Sequence, residues 1–118
     1  MAQFDDYLPA IKARWLAEQK AQLVRHQRAW ALAHQAAKVL KDGFGAQQVI
    51  VFGSLVRANL FDSYSDIDLA VSGLQPHCYH RAYMMAWQAV GDFELDLVEL
   101  EHCPPTIRES ILEKGVVL

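Results

Sequence analysis

Between Leu8 and Lys41 the chain has no glycine and a single proline, Pro9. A stretch this long, drawn mainly from Ala, Gln, Lys, Arg, Leu and Trp, favours one extended helix. Leu8, Ile11, Trp15, Leu23, Trp30, Ala33, Ala37 and Leu40 share one broad face at helical spacing, and Gln19, Gln22 and His26 interrupt it near the middle. Asp5 or Asp6 is expected to cap the helix, with Pro9 tolerated in its first turn. Gly43 is expected to end it as a left-handed cap behind Lys38 and Lys41. Such a helix is about 50 Å long at 1.5 Å per residue, whereas a compact domain of this size is about 35 Å across. Either it breaks near Gln19–Gln22 or it overhangs the body and docks on another chain. Docking is the favoured reading.

The length, 118 residues, fits one domain, with residues 1–42 as its N-terminal helix and 45–118 as an α/β core. A hydrophobic fraction of 53% with a net charge of −3 excludes a disordered chain and argues against a basic nucleic-acid module. Two cysteines, Cys78 and Cys103, are too few for a disulfide scaffold. The opening Met-Ala-Gln-Phe-Asp-Asp is no signal peptide, and no run approaches the roughly 18 apolar residues of a membrane span. The expected location is the cytoplasm, with thiols reduced. The charge is unevenly spread. Residues 1–42 carry seven basic and four acidic side chains, a net +3, and residues 43–118 carry four against ten, a net −6.

After Gly45 the period changes. Gln47–Phe52 reads as a buried strand, Leu55–Asn59 as a short helix after Gly53-Ser54, and Ile67–Ser72 as a second strand. Tyr79–Val90 reads as a helix ending at Gly91, and Phe93–Glu99 alternates as a third strand. Thr106–Lys114 is a helix started by Pro104-Pro105 and stopped by Gly115, and Val116–Leu118 is a terminal strand. The order αβαβαβαβ predicts an α/β fold: a small mixed β-sheet flanked by helices, with a long N-terminal helix.

Three motifs carry chemistry. Gly53-Ser54 follows a buried strand, so a turn there offers free backbone N–H groups and a hydroxyl to a phosphate. Asp66 and Asp68, two apart in an extended segment, project to the same face. Two carboxylates about 4 Å apart repel by about 4 kcal/mol at an effective dielectric of 20, and a cation offsets that. Oxygen donors with an incomplete shell suit Mg²⁺. The bland alternative is an exposed Asp-rich turn. Asp96 lies in the third strand on a face shared with Glu94 and Val98, while Phe93, Leu95 and Leu97 face the other way. If that strand neighbours the second, Asp96 completes a three-carboxylate cluster and can serve as base, with Glu94 as competitor on the same face. The alternative for Glu94 and Asp96 is a solvated edge.

Gly-Ser, eleven intervening residues, Asp-x-Asp and a later Asp in an apolar strand together resemble the polymerase-β-like nucleotidyltransferase superfamily. The text GSLVR…SDIDLAV and ELDLVEL looks like its minimal nucleotidyltransferase (MNT) group, over about residues 45–118. The resemblance implies a nucleotidyltransferase fold that uses Mg²⁺ and ATP. Gly53 and Ser54 match the triphosphate-holding motif, Asp66 and Asp68 the pair that coordinates two Mg²⁺, and Asp96 the third carboxylate. It further implies a HEPN-domain toxin as partner, with AMP transferred to its tyrosine so that this chain acts as antitoxin. A hetero-oligomer is expected, with a homodimer as the alternative. Competing functions are an antitoxin that neutralises by contact alone and a small-molecule nucleotidyltransferase subunit. The sequence departs from the family pattern by one extra residue between Ser54 and Asp66, which the loop Asn59–Ser65 can absorb, and by Ala58 where Gly often follows the Arg. Arg57 either reaches a phosphate or pairs with Asp62.

The remaining candidates read as structure. His77-Cys78-x-His80 and His102-Cys103 lack paired zinc spacing and suit turns and helix starts. Trp15, Trp30 and Trp87 are expected as core or interface anchors, and Met84-Met85 as core filler. Arg25, Arg28, Lys38 and Lys41 are expected to form a solvated face, with contact to an acidic partner or RNA as the alternative, and Tyr64 either stacks on a base or is an exposed loop residue.

Overall fold

The structure, a computed structural model, describes residues 4–62 and 64–118. Ser63, in the loop expected to absorb the extra residue, and Met1–Gln3 lie outside the described residues. The elements are α1 (Phe4–Phe44), β1 (Gln48–Phe52), β2 (Ile67–Ser72), α2 (Tyr79–Ala89), β3 (Leu95–Glu99), α3 (Pro105–Lys114) and β4 (Val116–Val117). The sheet order is β3-β2-β1-β4. β1 pairs antiparallel with β2 and β4, and β2 pairs parallel with β3. The sheet is therefore mixed and flanked by helices, as expected.

Alternation in the strands sorts the core into two layers. Val49, Val51, Ile67, Leu69, Val71, Leu95 and Leu97 point to the face covered by α1 and α2. Ile50, Ala70 and Leu100 point to the opposite face, where Ile111 of α3 covers them. On α1 the covering residues are small: Ala29, Ala33, Ala36 and Ala37 are buried beside Leu40. Small side chains let the helix lie close to the sheet, and the core needs no disulfide: Cys78 and Cys103 are free thiols. At the outer edge, the Tyr79 and Tyr83 hydroxyls donate to the Leu97 and Leu95 carbonyls at 2.6 and 3.2 Å. Burial, and next the Glu99 charge, push the Tyr79 phenol up, and the two hydroxyls blunt the free strand edge.

Several expectations shift. α1 is unbroken through Gln19–Gln22 and begins at Phe4, so Asp5 and Asp6 lie inside it and Pro9 sits beyond the first turn. Gly43 is helical, and Gly45, at φ +71°, takes the left-handed position. The helix runs two residues further because Phe44 is buried against the core, which moves the reversal past it. The helix expected at Leu55–Asn59 is replaced by two 3₁₀ turns, Gly53–Leu55 and Ala58–Leu60. Met84 and Met85 are exposed rather than core filler, as are Trp15 and Trp87, while Trp30 is half-buried. α2 buries only Ala82 and Ala86 within its span; its larger side chains flank the small ones that make the contact. Arg25 is not on a solvated face: its guanidinium lies 4.4 Å from the Phe93 ring centroid. Arg28 pairs with Asp92 at 3.2 Å, both exposed, and Lys41 donates to the Leu118 carbonyl. His102 lies 3.4 Å from Glu99, and His77 takes φ +64° in the turn before α2.

The body holds only part of α1. The molecule measures 70 × 29 × 18 Å, and its radius of gyration is 18.4 Å, against about 13 Å for a compact chain of this length. Every residue from Tyr7 to Ala21 is exposed. No helix among the described residues is long and apolar enough to cross a membrane.

Gly115 joins α3 to β4 where they cross β1. A Cβ there would lie 2.4 Å from Ile50 Cγ2 and 2.5 Å from the Ile111 carbonyl oxygen, and neither the buried Ile50 side chain nor the α3 backbone can move freely. Gly115→Ala is expected to destabilise the fold by about 1–3 kcal/mol through overpacking, lowering the melting temperature by several degrees in calorimetry.

Candidate active site

β1 ends at Phe52, whose register partner in β2 is Asp68. Gly53 follows at φ +76°, and a Cβ on it would lie 2.2 Å from Asp68 Oδ2. Glycine is required here twice over, for the left-handed backbone and for the space. It opens the 3₁₀ turn in which the Val56 and Arg57 N–H groups donate to the Gly53 and Ser54 carbonyls at 3.2 and 3.1 Å. The earlier N–H groups of such a turn have no partner within it. The phosphate-holding capacity expected of Gly53-Ser54 thus rests on a tight turn and not on the dipole of a longer helix.

The acids meet through the sheet register. Asp66 immediately precedes β2, and Asp68 and Asp96 are register partners across the parallel β2–β3 pair. Strands so paired are about 4.8 Å apart with side chains on a common face. This is the α3 face, since Asp68 has the parity of Ala70 and Asp96 that of Val98. Asp66 and Asp96 are exposed and Asp68 is half-buried. Burial, then the charges of Asp96 and Asp66, raise the Asp68 carboxyl from 3.8 to about 6. Glu94, the competitor, lies before β3, exposed, and its carbonyl accepts the Ile67 N–H at 3.0 Å. Asp96 is the acid from β3 that acts on Asp68.

Among the described residues, no group of three or more His, Cys, Asp or Glu side chains closes into a chelate by itself. The three aspartates are neighbours along one end of the sheet, open on the solvent side. The ion pairs among the described residues are Arg28–Asp92 and His102–Glu99, so neither compensates this cluster. Uncompensated oxygen donors with an open side suit a hard cation completed by water or phosphate oxygens, which is the donor set of Mg²⁺.

A cavity of about 290 Å³ lies beside the turn. Gly53, Ser54, Arg57 and Leu60 line it, together with Ser110 and Lys114 of α3. Arg57 is exposed, and Asp62, its alternative partner, is engaged locally: Asp62 Oδ1 accepts the Tyr64 N–H at 2.8 Å and the Ser65 hydroxyl at 3.2 Å. Tyr64 itself is 90% exposed. Ser110 and Lys114 escaped sequence reasoning. Their spacing of four places them on one helix face, but nothing local says that this face meets the end of β1.

The loop carrying the turn is pinned from behind by the polar residues that interrupt the α1 stripe. Gln22 Nε2 donates to the Phe61 carbonyl, and His26 Nε2 lies 2.9 Å from the Leu55 carbonyl. The Phe61 ring packs edge-on against His26 at 5.1 Å.

Residues 34–118 match the family described as polymerase beta, nucleotidyltransferase. The chain belongs to that family. Solved structures share its fold. A toxin–antitoxin with AMP-PNP is 24% identical with a TM-score of 0.61, covering 72% of this chain and 70% of that one. A Shewanella oneidensis complex of tri-AMPylated HEPN toxin with MNT antitoxin is 24% identical, TM-score 0.55, covering 75% and 70%. A structure described as a minimal nucleotidyltransferase is 24% identical, TM-score 0.53, covering 84% and 94%. No curated protein matches the chain.

The raised Asp68 carboxyl has a stability consequence with a definite sign. The folded chain binds this proton more tightly than the unfolded chain, so the contribution is fully present below pH 3.8 and lost as pH rises through about 6. Asp68→Asn, neutral at every pH, is expected to melt higher than the metal-free wild type at pH 7.5. The expected gain is about 1 kcal/mol after allowance for solvent screening, and it should vanish by pH 4 in a pH series of thermal melts.

Proposed function

We propose that this chain is a Mg²⁺-dependent nucleotidyltransferase that moves AMP from ATP onto a hydroxyl of a HEPN-domain toxin, with tyrosine as the acceptor, and so acts as its antitoxin. The observation that carries the reading is the seating of the Gly53-Ser54 turn directly against Asp68, with Asp96 beside it in register. The family supplies the reaction class, and the neighbouring toxin–antitoxin folds, one with AMPylated HEPN toxin, support the acceptor.

In this reading Gly53 and Ser54 hold the triphosphate through backbone N–H groups and the Ser54 hydroxyl. Arg57 and Lys114 face the same cavity and balance the negative charge of the phosphates. Asp66, Asp68 and Asp96 hold Mg²⁺, two ions in the proposal; bound there, the metal would neutralise phosphate charge and lower the barrier to attack. The acceptor oxygen bonds to the α-phosphorus while the α–β phosphoanhydride bond breaks. Asp96, the exposed acid at the open side, accepts the hydroxyl proton, and pyrophosphate leaves against Lys114 and Arg57. Catalysis is positioning plus charge neutralisation. The whole chain acts as one nucleotidyltransferase domain in the cytoplasm, in a hetero-oligomer whose partner brings the hydroxyl.

Labelled ATP, Mg²⁺ and the HEPN-domain partner encoded beside it should give labelled partner. Asp66→Asn and Asp68→Asn are each expected to cut labelling by at least about 10²-fold. Unchanged labelling sinks the assignment, and neutralisation of the toxin that survives both changes indicates contact alone. Turnover without any protein acceptor would point to a small-molecule substrate. Lys114→Ala is expected to raise the KM for ATP about tenfold, a loss of about 1.4 kcal/mol, with the fold intact by circular dichroism.

A further inference from the structure

The family match begins at residue 34, yet α1 begins at Phe4, so most of this helix is additional to the matched domain. Its distal part is not an inert extension. Tyr7, Leu8, Ile11 and Trp15 are 43–56% exposed, and at helical spacing they continue the stripe that Ala29, Ala33 and Leu40 bury farther along. Contiguous exposed apolar surface of this kind marks an interaction site.

Where the stripe leaves the body is informative. The last contacts are those of Gln22 and His26 with the Phe61 and Leu55 carbonyls. That loop also supplies Gly53, Ser54, Arg57 and Leu60 to the candidate nucleotide cavity. From Gln19 the helix extends about 18 Å further to Tyr7, bare on the side that continues its own core face. A molecule lying along this arm rests against the outer side of the active-site loop.

The charge of the arm selects the occupant. Between Tyr7 and Ala21, the exposed run, stand Lys12, Arg14 and Lys20 against a single acid, Glu18. Lys12 and Arg14 fall on opposite flanks of the stripe, at about 80° to either side of its centre. Pairing with the same arm of a second copy would bring one basic rim against another. An apolar helix rimmed by carboxylates meets both requirements at once, as in the flanking charge pairs of coiled coils.

We propose that residues 7–21 form a docking arm for the protein acceptor, engaging an acceptor helix whose apolar stripe is rimmed by Asp and Glu. This deepens the reading given above and rests on it for the identity of the acceptor. The arm places that protein beside the open end of the sheet where Asp66, Asp68 and Asp96 stand.

The first test does not depend on transfer. Two labelled helical peptides with the same leucine stripe, one rimmed by glutamate and one by lysine, are titrated against the full chain by fluorescence anisotropy. The glutamate-rimmed peptide should bind at least tenfold tighter. Trp15→Glu and the double change Lys12→Glu/Arg14→Glu should each remove that binding while leaving the melting temperature in ATP and Mg²⁺ unchanged. Equal binding of the two peptides, or binding of neither, overturns the proposal. In the transfer assay both variants should raise the KM for the HEPN-domain partner at least tenfold with kcat retained. An unchanged KM overturns the docking arm while the transfer reading stands. Absence of transfer by the wild type defeats that reading instead, and the peptides still decide the arm. A dimer of this chain in sedimentation that Trp15→Glu dissolves, with peptide binding unaffected, assigns the stripe to a second copy and also overturns the proposal.

Discussion

Asp68 is the point at which the molecule's constraints meet. Its antiparallel partner is Phe52 and its parallel partner is Asp96. The first pairing brings the Gly53 turn against its carboxylate, and the second sets another carboxylate at its side. A one-residue slip in either ladder would turn one of these groups to the opposite face. Val49, Val51, Leu69, Val71 and Leu97, buried under α1 and α2, hold that register. The apolar core on one face of the sheet therefore fixes the polar geometry on the other.

The ionised form of Asp68 is unfavourable in the metal-free chain: burial first, and then the charges of Asp96 and Asp66, raise its carboxyl. Like charges this close are retained in a fold when something else compensates them. Here the surrounding structure over-determines the position. A Cβ on Gly53 would collide with an Asp68 carboxylate oxygen, and α3 brings Lys114 to the neighbouring cavity. Acid and base lie on adjacent parts of one end of the sheet, an order suited to a metal-bound polyphosphate.

The long helix joins two roles that its sequence does not separate. One stretch of its apolar face is consumed by the sheet, through alanines that permit close approach, and the stretch before it is left bare. Gln22 and His26 mark the transition. They look like flaws in an amphipathic pattern, yet their side chains reach loop carbonyls that no strand partner satisfies. Trp15 and Trp30 illustrate the same division: equivalent in the pattern, one exposed and one half-buried.

The strands, the projection of Asp66 and Asp68 to one side and the long helix are legible in the sequence alone. Each follows from periodicity or from a short motif, which are local properties. The sequence misplaced the end of α1, choosing Gly43 over Gly45, because the burial of Phe44 that extends the helix is a tertiary contact. It expected a helix after Ser54 where the chain makes 3₁₀ turns, since the loop is held by α1 rather than by its own propensity. It treated Met84 and Met85 as core, because helical spacing does not reveal which face of α2 meets a neighbour. Lys114 was invisible as a site residue for the same reason. That β3 lies beside β2, bringing Asp96 to Asp68, and that α3 crosses the end of β1 are set by tertiary packing. Side-chain spacing records what one element presents, whereas a site assembled from four elements depends on how those elements pack.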